Sequence, residues 1–370
     1  VKELRKDTLY EKIYKDLLEG IRTQKYSAGT LLPSESELSK AYHVSRITSK
    51  KALEMLAAQN IIERKPGKGS YVLENELKEI PEMKAVGQDN RDKRLIGIIM
   101  DSFGDSYGYK ILLGMEQECK KHGLCMVLKC SYGHKEEETI SIDKLLEIGA
   151  DGIIIMCVHD ENYNSKVLKL SIDNFPMVLI DRMLKGIPIP YVGTDNYRAA
   201  KELTCCLIEA GHRLICYVAP LSVDTSTVED RHKGFVDCHM EHGLITNEAM
   251  WITDLKSTLP SYHKEELALE DIDKIKEFVL KHPEVTAFFA VEYAIALIIY
   301  RALCQLGLEQ EKKIACFDSP QSIADEIMHL TYVEQDEIEI GKSSIRILAE
   351  AMDGNKNVEP QLIPHKIIKK

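Results

Sequence analysis

Two patterns in one chain predict an α/β protein with a helical head and a two-lobed, parallel-sheet body. The first is a capped helix, a turn, a second helix and a glycine-tipped hairpin within residues 31–73. The second starts at Leu95, where apolar runs of four to seven residues alternate with amphipathic helices. Strand, helix, strand in repetition builds a mostly parallel sheet covered on both faces. Residues 95–370 are long for one such sheet, so two lobes with a cleft between them are expected. The head is expected at 1–73, a charged linker at 74–94 and the body at 95–370.

Taken in order, Leu9, Ile13, Leu17 and Ile21 recur at helical spacing, which predicts a first helix over 8–22. Ser34 followed by Glu37 is a capping box. Leu38 and Ala41 give that short helix a buried side, and His43-Val44 make the turn. Ser45 then caps a helix whose Leu53 and Leu56 face inward. Ser34 lies at the first cap, and Arg46, Thr48, Ser49 and Lys50 lie in or near the first turn of the second helix. That is the end a recognition helix presents to base edges and phosphates. Residues 61–64 and 70–73 read as strands around Pro66-Gly67-Lys68-Gly69. Such a wing lets backbone approach a groove at Gly67 and Gly69 while Lys68 meets phosphate. A helix-turn-helix pattern alone occurs in many helical bundles. Cap, polar face and wing in this order point to double-stranded DNA.

Charge agrees. The formal net charge is −11, but residues 1–78 hold 15 Lys and Arg against 11 Asp and Glu, a net of +4, leaving −15 for the rest. A basic module on an acidic body suits a DNA reader whose other part must not stick to nucleic acid. The first residues run into an amphipathic helix without an apolar leader, and the longest greasy stretch, 287–300, is interrupted by Glu292. No membrane role and a cytoplasmic location are therefore expected. Ten cysteines without a CxxC pair read as free thiols. Cys238 and His242 share a helical spacing, but no further ligands fall at suitable spacing, so no metal is expected.

In the body, strands are expected at 95–100, 126–129, 152–158, 177–180, 214–218, 287–291 and 314–317. Ligands of doubly wound sheets sit beyond the carboxyl ends of the strands. The loops there hold Asp101, Ser102, Phe103 and Tyr107, then His159 and Asp160, then Glu292 and Tyr293, then Asp318. Carboxylates accept sugar hydroxyls, and a ring covers an apolar sugar face. Singly, each residue reads as readily as a solvated loop residue, and the case rests on their shared position. Catalysis has little support, because no GxSxG, HExxH or post-strand GxGxxG occurs. A sugar-metabolising enzyme with a regulatory head and a secreted sugar-capture protein remain the competing classes, and the second does not explain residues 1–73.

The head resembles the winged-helix domain of the GntR family of bacterial regulators through Leu32-Pro33-Ser34-Glu35, Tyr42, Val44-Ser45-Arg46, Thr48, Ala52-Leu53, Gly67 and Gly69. The resemblance implies DNA contacts at Ser45, Arg46, Thr48, Lys50 and the wing. Ser36 departs from an arginine common in that family, and Lys50 stands where arginine is frequent, which disfavours a bidentate guanine contact. The body resembles the effector domain of the LacI/GalR repressors, which share the periplasmic sugar-binding fold. The landmarks include Ala150-Asp151-Gly152, Ile180-Asp181-Arg182, Thr194-Asp195-Asn196, Gly211-His212, Arg231 with Gly234-Phe235, Phe317-Asp318 and 330–335.

By that resemblance Tyr107 stacks on effector and Arg231 holds its hydroxyls. Glu292, Asp318 and Gln335 line the site, His134 is a rim contact, and Arg182 binds ligand or holds the hinge. Tyr293 stands where aspartate is common. The leucine-bearing hinge helix of such repressors is absent, so the linker must transmit the signal differently. A GntR-type head on a LacI-type body resembles the arabinose-responsive repressors of Gram-positive bacteria. This combination implies a homodimer on a pseudo-palindromic operator, no cofactor, and L-arabinose or a close pentose as effector. Another sugar or a nucleoside is the alternative. Apolar pairs at Leu112-Leu113 and Ile298-Ile299 are candidate dimer contacts or core.

Overall fold

The computed structural model describes residues 9–58, 61–65, 68–73, 94–104, 107–158, 163–221, 225–259, 265–318, 329–355 and 359–369. Gly67, Asp160 and the expected linker other than Arg94 lie outside the described residues. The chain divides into two compact units, 1–89 and 90–370.

The first unit holds α1 (Leu9–Arg22), α2 (Glu35–Ala41), α3 (Arg46–Ala58) and an antiparallel hairpin of β1 (Ile62–Lys65) and β2 (Gly69–Val72). Ile13, Leu17 and Ile21 from α1 meet Leu38 from α2, Leu53 and Leu56 from α3, and Ile62 and Val72 from the hairpin in one core. The strands are shifted by one residue from expectation. The Ile61 amide donates to Leu56 O at 3.1 Å just past α3, and only its carbonyl reaches across the hairpin, accepting from Leu73 N at 3.0 Å.

The second unit contains two six-stranded sheets. Lobe I takes β3 (Leu95–Met100), β4 (Cys125–Cys130), β5 (Gly152–Ile155), β6 (Met177–Ile180), β7 (Tyr191–Thr194) and β13 (Gln361–Ile363), ordered β4-β3-β5-β6-β7-β13 and parallel throughout. Lobe II takes β8 (Ile215–Pro220), β9 (Trp251–Leu255), β10 (Ala287–Ala290), β11 (Lys313–Phe317), β12 (Thr331–Gln335) and β14 (His365–Ile368), ordered β9-β8-β10-β11-β12-β14. Only β14 runs antiparallel to its neighbour. The same doubly wound order is thus built twice, with β5 and β6 buried at every residue, as strands covered on both faces must be.

Helices α4 (Tyr109–His122), α5 (Lys135–Glu147), α6 (Ser165–Ile172) and α11 (Glu337–Met352) serve lobe I. Helices α7 (Asn196–Glu209), α8 (Ser226–Glu241), α9 (Glu265–Lys281) and α10 (Tyr293–Leu306) serve lobe II. The chain crosses between lobes three times: from β7 into α7, from β12 into α11, and from β13 into β14. Ile298 and Ile299 are buried in the lobe II core, which removes that pair as a dimer contact, whereas Leu113 is exposed.

Strands β7, β9, β12, β13 and β14 were not expected. β9 is an edge strand with Thr253 and Asp254 exposed in succession, and β13 has only three residues, so neither presents an apolar run. β12 is buried at every residue but Glu334, although Thr331 and Gln335 are polar, because it lies between β11 and β14.

Helices α4 and α11 cross at two glycines. A Cβ on Gly341 would stand 2.1 Å from Ile111 O, and one on Gly114 would stand 2.2 Å from Ile338 O. Backbone cannot yield as a side-chain tip can, so Gly341→Ala is expected to destabilise the protein by roughly 1–3 kcal/mol, read as a lower urea midpoint at unchanged slope.

Candidate functional site

In the first unit the capping box is present. Ser34 N donates to Glu37 Oε2 at 2.8 Å, and Glu37 N donates to Ser34 Oγ at 3.3 Å. Ser45 Oγ likewise accepts from Thr48 N at 3.2 Å and lies 2.8 Å from Thr48 Oγ1, so both serines fix the starts of their helices. Arg46 and Lys50 are exposed; Arg46 Nη2 donates to Ser36 Oγ at 3.4 Å, and Lys50 Nζ lies 3.7 Å from Glu54 Oε1. Lys68 and Gly69 are exposed at the wing, where Gly69 adopts φ +107°. Arg64, by contrast, pairs with Glu35 of α2 and lies 3.6 Å from Glu54 of α3, which braces the wing against both helices.

Ser49 corrects the sequence reading. Its side chain is fully buried, and its hydroxyl has no hydrogen-bond partner, so it faces the bundle core and not a groove. Three positions separate it from Arg46, but Ala52, Leu53 and Leu56 set the inward face and Ser49 lies on it. Ile47 was missed. It is 79% exposed between Arg46 and Thr48, an apolar side chain held out on the expected reading face. Its signal was its displacement from the Leu53/Leu56 face.

In the second unit, polar groups from the carboxyl ends of both sheets gather beside the crossings between lobes. Asp181 follows β6 and Asp318 follows β11, the same position in each lobe, and both hold left-handed backbone at φ +62° and +71°. Such strain in a non-glycine residue persists only where surroundings impose it. Tyr107 donates its hydroxyl to Asp181 Oδ1 at 2.7 Å, and Tyr191 donates to Asp181 O at 2.9 Å. Gln335 Nε2 donates to Asp318 Oδ1 at 2.6 Å.

Arg231, only 6% exposed, donates from Nε to Asn196 Oδ1 at 2.8 Å and from Nη1 to Val291 O at 2.6 Å, and its guanidinium lies 3.8 Å from the Phe317 ring centre. Arg182 donates from Nη2 to Asp101 Oδ2 at 2.6 Å and from Nη1 to Cys157 O at 2.8 Å. These bonds make it a brace within lobe I, with its buried Nε making no hydrogen bond but lying 3.6 Å from Asp181 Oδ2. Ser102 donates from its amide to Asp101 Oδ1 at 2.5 Å. Glu337, the first residue of α11, accepts from Gly108 N at 2.8 Å. The lobes also touch directly where Met183 N donates to Ser226 Oγ at 2.9 Å.

Five carboxylates (Asp101, Asp181, Glu292, Asp318 and Glu337) therefore share this region with two guanidiniums. Burial pushes Asp318 up to about 6 against the pull of Arg231, and pushes Glu337 up to about 7. Burial also raises Glu292 against the opposing pull of a hydrogen bond from Thr258, and Glu292 Oε1 and Ser257 Oγ are enclosed without a hydrogen-bond partner. Buried polar groups ordinarily have a hydrogen-bond partner, so enclosed atoms of this kind beside strand ends are able to receive a polar ligand. His134 stands apart, exposed at the N-cap of α5, and joins none of these bonds among the described residues. Asp101 was expected from its strand-end loop, whereas Asp181, Asn196 and Glu337 were not expected as site residues. Nothing in their own sequence neighbourhood distinguishes a left-handed or hinge-side carboxylate from a solvated one.

Residues 93–368 match the model of periplasmic binding proteins and the sugar binding domain of the LacI family. The chain belongs to that family. Its LacI-type body is preceded by a head, residues 9–72, that matches the bacterial regulatory proteins of the gntR family. Over 368 residues it is 24% identical to an arabinose metabolism transcriptional repressor of Halalkalibacterium halodurans, covering 95% of this chain and 93% of that one. A repressor of the same description from Geobacillus stearothermophilus is 23% identical over 351 residues, 93% of this chain and 91% of its own. Among solved structures, a putative ribose operon repressor from Burkholderia thailandensis superposes with TM-score 0.64 at 22% identity, over 75% of this chain and all of that one, which shows the fold. The chain is thus a DNA-binding transcription regulator with a LacI-type sugar-binding domain, not an enzyme. Among the described residues no helix is long and apolar enough to cross a membrane.

Two predictions follow from the geometry. Ser49→Ala replaces an orphan buried hydroxyl by hydrogen, so it should leave DNA affinity unchanged and stability equal or higher by up to about 1 kcal/mol; fluorescence anisotropy and a urea melt read both. Glu337 ionises near the usual 4.5 in the unfolded chain but keeps its proton to about 7 when folded. Between those values the folded state binds more protons, so stability falls as pH rises through the window, and the penalty is complete above it. Glu337→Gln retains an acceptor for Gly108 N and should shrink the stability difference between pH 5 and pH 8 by on the order of 1–3 kcal/mol, measured by urea melts at both pH values.

Proposed function

We propose that this chain is a cytoplasmic, homodimeric repressor that grips a pseudo-palindromic operator and releases it when L-arabinose, or a close pentose, enters the cleft. The observation that carries this reading is the cluster at the crossings, where Arg231, Asp318, Gln335, Tyr107 and Glu292 come from both lobes around unmatched polar atoms. Carboxylates outnumber guanidiniums there, which suits a ligand rich in hydroxyl donors and without negative charge. The arabinose repressors similar to this chain along nearly its whole length support the choice of sugar.

In this reading Arg231, Asp318 and Gln335 hold sugar hydroxyls, Tyr107 covers a ring face, and Glu292 accepts from a hydroxyl. Ser102 lies beside them, with His134 and Asp160 as rim contacts. Arg182 braces the hinge. On the head, Arg46 and Ile47 face base edges while Lys50, Lys68 and the backbone at Gly67 and Gly69 face phosphate. Ser34, Ser45 and Thr48 hold the helix starts at the same surface. A single winged head reads a half-site, and two heads related by a dyad read both halves.

Release follows from linkage. Sugar that binds one lobe arrangement better than the DNA-competent one lowers operator affinity by the factor by which DNA lowers sugar affinity, about 5–150-fold for a coupling of roughly 1–3 kcal/mol. Arg231→Ala should bind duplex from the protein's own genomic neighbourhood as the parent does, yet fail to release it on adding L-arabinose. Normal release by that variant, followed by anisotropy of labelled duplex, contradicts the assignment.

A further inference from the structure

Helices α7 and α8 bring together two thiols that lie 33 positions apart in sequence: Cys205 Sγ and Cys238 Sγ stand 2.7 Å apart. A disulfide needs about 2.05 Å, so the sulfurs have roughly 0.7 Å left to close. The helices pack closely at this point. A Cβ on Gly234 would stand 2.3 Å from Tyr197 O, and Lys201 Nζ pairs with Glu241 Oε1 at 2.6 Å beside the thiols. Cys238 is fully buried, while Cys205 is partly open. His242 comes within 3.8 Å of Cys238 Sγ, which makes a three-ligand metal group the rival occupant. Its Nδ1, however, lies 2.8 Å from Cys238 O, and a carbonyl oxygen only accepts. Nδ1 therefore carries a proton, which leaves Nε2 as the one ring nitrogen of His242 with a lone pair for an ion.

We propose that Cys205 and Cys238 are an oxidisable pair that closes to a disulfide on meeting a hydroperoxide. The Cys205 thiolate attacks one peroxide oxygen and breaks the O–O bond, leaving a sulfenic acid on Cys205 and releasing, with hydrogen peroxide, hydroxide that takes up a proton as water. The Cys238 sulfur then attacks the Cys205 sulfur and expels a second water, which carries away the thiol proton. Two thiols are oxidised by two electrons in all, and one peroxide is reduced to two waters. The order follows from access, and burial also pushes the Cys238 thiol up, which holds it protonated until the sulfenic acid is beside it. The bridge would tie α7, which begins at Asn196, to α8, which carries Arg231. A transient disulfide of this kind is the form that a reducing compartment permits.

The test uses the full chain, reduced and then exposed to hydrogen peroxide, with alkylation, digestion and mass spectrometry. The expected result is a linked peptide pair containing Cys205 and Cys238, reversed by dithiothreitol, with a raised thermal midpoint while linked. Cys205→Ser should abolish the linked pair, and Cys238→Ala should instead leave sulfenic acid on Cys205. Oxidation confined to the exposed Cys125 and Cys304 would overturn the proposal. So would retention of one zinc ion per reduced chain that is lost in Cys205→Ser, since the cluster would then be a metal site.

Discussion

Buried carboxylates held at the crossings between two lobes are the constraint on which the rest of the body depends. Asp181 and Asp318 end equivalent strands, both on left-handed backbone, and each feels the other's charge. Neither tolerates burial alone. Asp318 is answered by Gln335 at the foot of β12 and by Arg231, and Asp181 by Tyr107. Arg231 is in turn held by Asn196, the first residue past another crossing. The groups proposed to meet a ligand and those at the crossings between the lobes are therefore bonded to one another directly. A ligand that supplies hydroxyls to this cluster changes the balance at the crossings without any longer relay.

The head obeys a separate economy of charge. Arg64 is committed to Glu35 and Glu54 and holds the wing in place, which leaves Arg46, Lys50 and Lys68 exposed on the face expected to meet DNA. Phosphate contacts set register, and base contacts set sequence preference. With Ser34 and Ser45 engaged as caps, the proposed reading leaves sequence preference to Arg46 and to the exposed Ile47, whose apolar side chain suits a thymine methyl.

Much of this was legible in the residues. The capping box at Ser34 and Glu37, the wing glycines and the apolar runs of β3, β5, β6, β10 and β11 carry local signals strong enough to read directly. Tyr107, Arg231, Asp318 and Gln335 were found from strand-end position and resemblance, and the fold brings them into one hydrogen-bonded region. What escaped depends on distant packing. Ser49 is buried because α1 and the hairpin cover that side of α3. Glu337 matters only because α11 docks its first turn on Gly108. Cys205 and Cys238 meet only because Gly234 lets α8 approach Tyr197 closely. His134 reads as a loop residue near the site, yet it sits exposed on its own cap.

The central claim is that the cleft's excess of carboxylate over guanidinium selects an uncharged polyol. Calorimetric titration of the whole chain at pH 8, first with L-arabinose and then with L-arabinonate, tests it most directly. The two ligands share their hydroxyl pattern and differ by one negative charge. The account predicts saturable binding of the neutral sugar at one site per chain and little or no heat with the anion; tighter binding of the anion would contradict it.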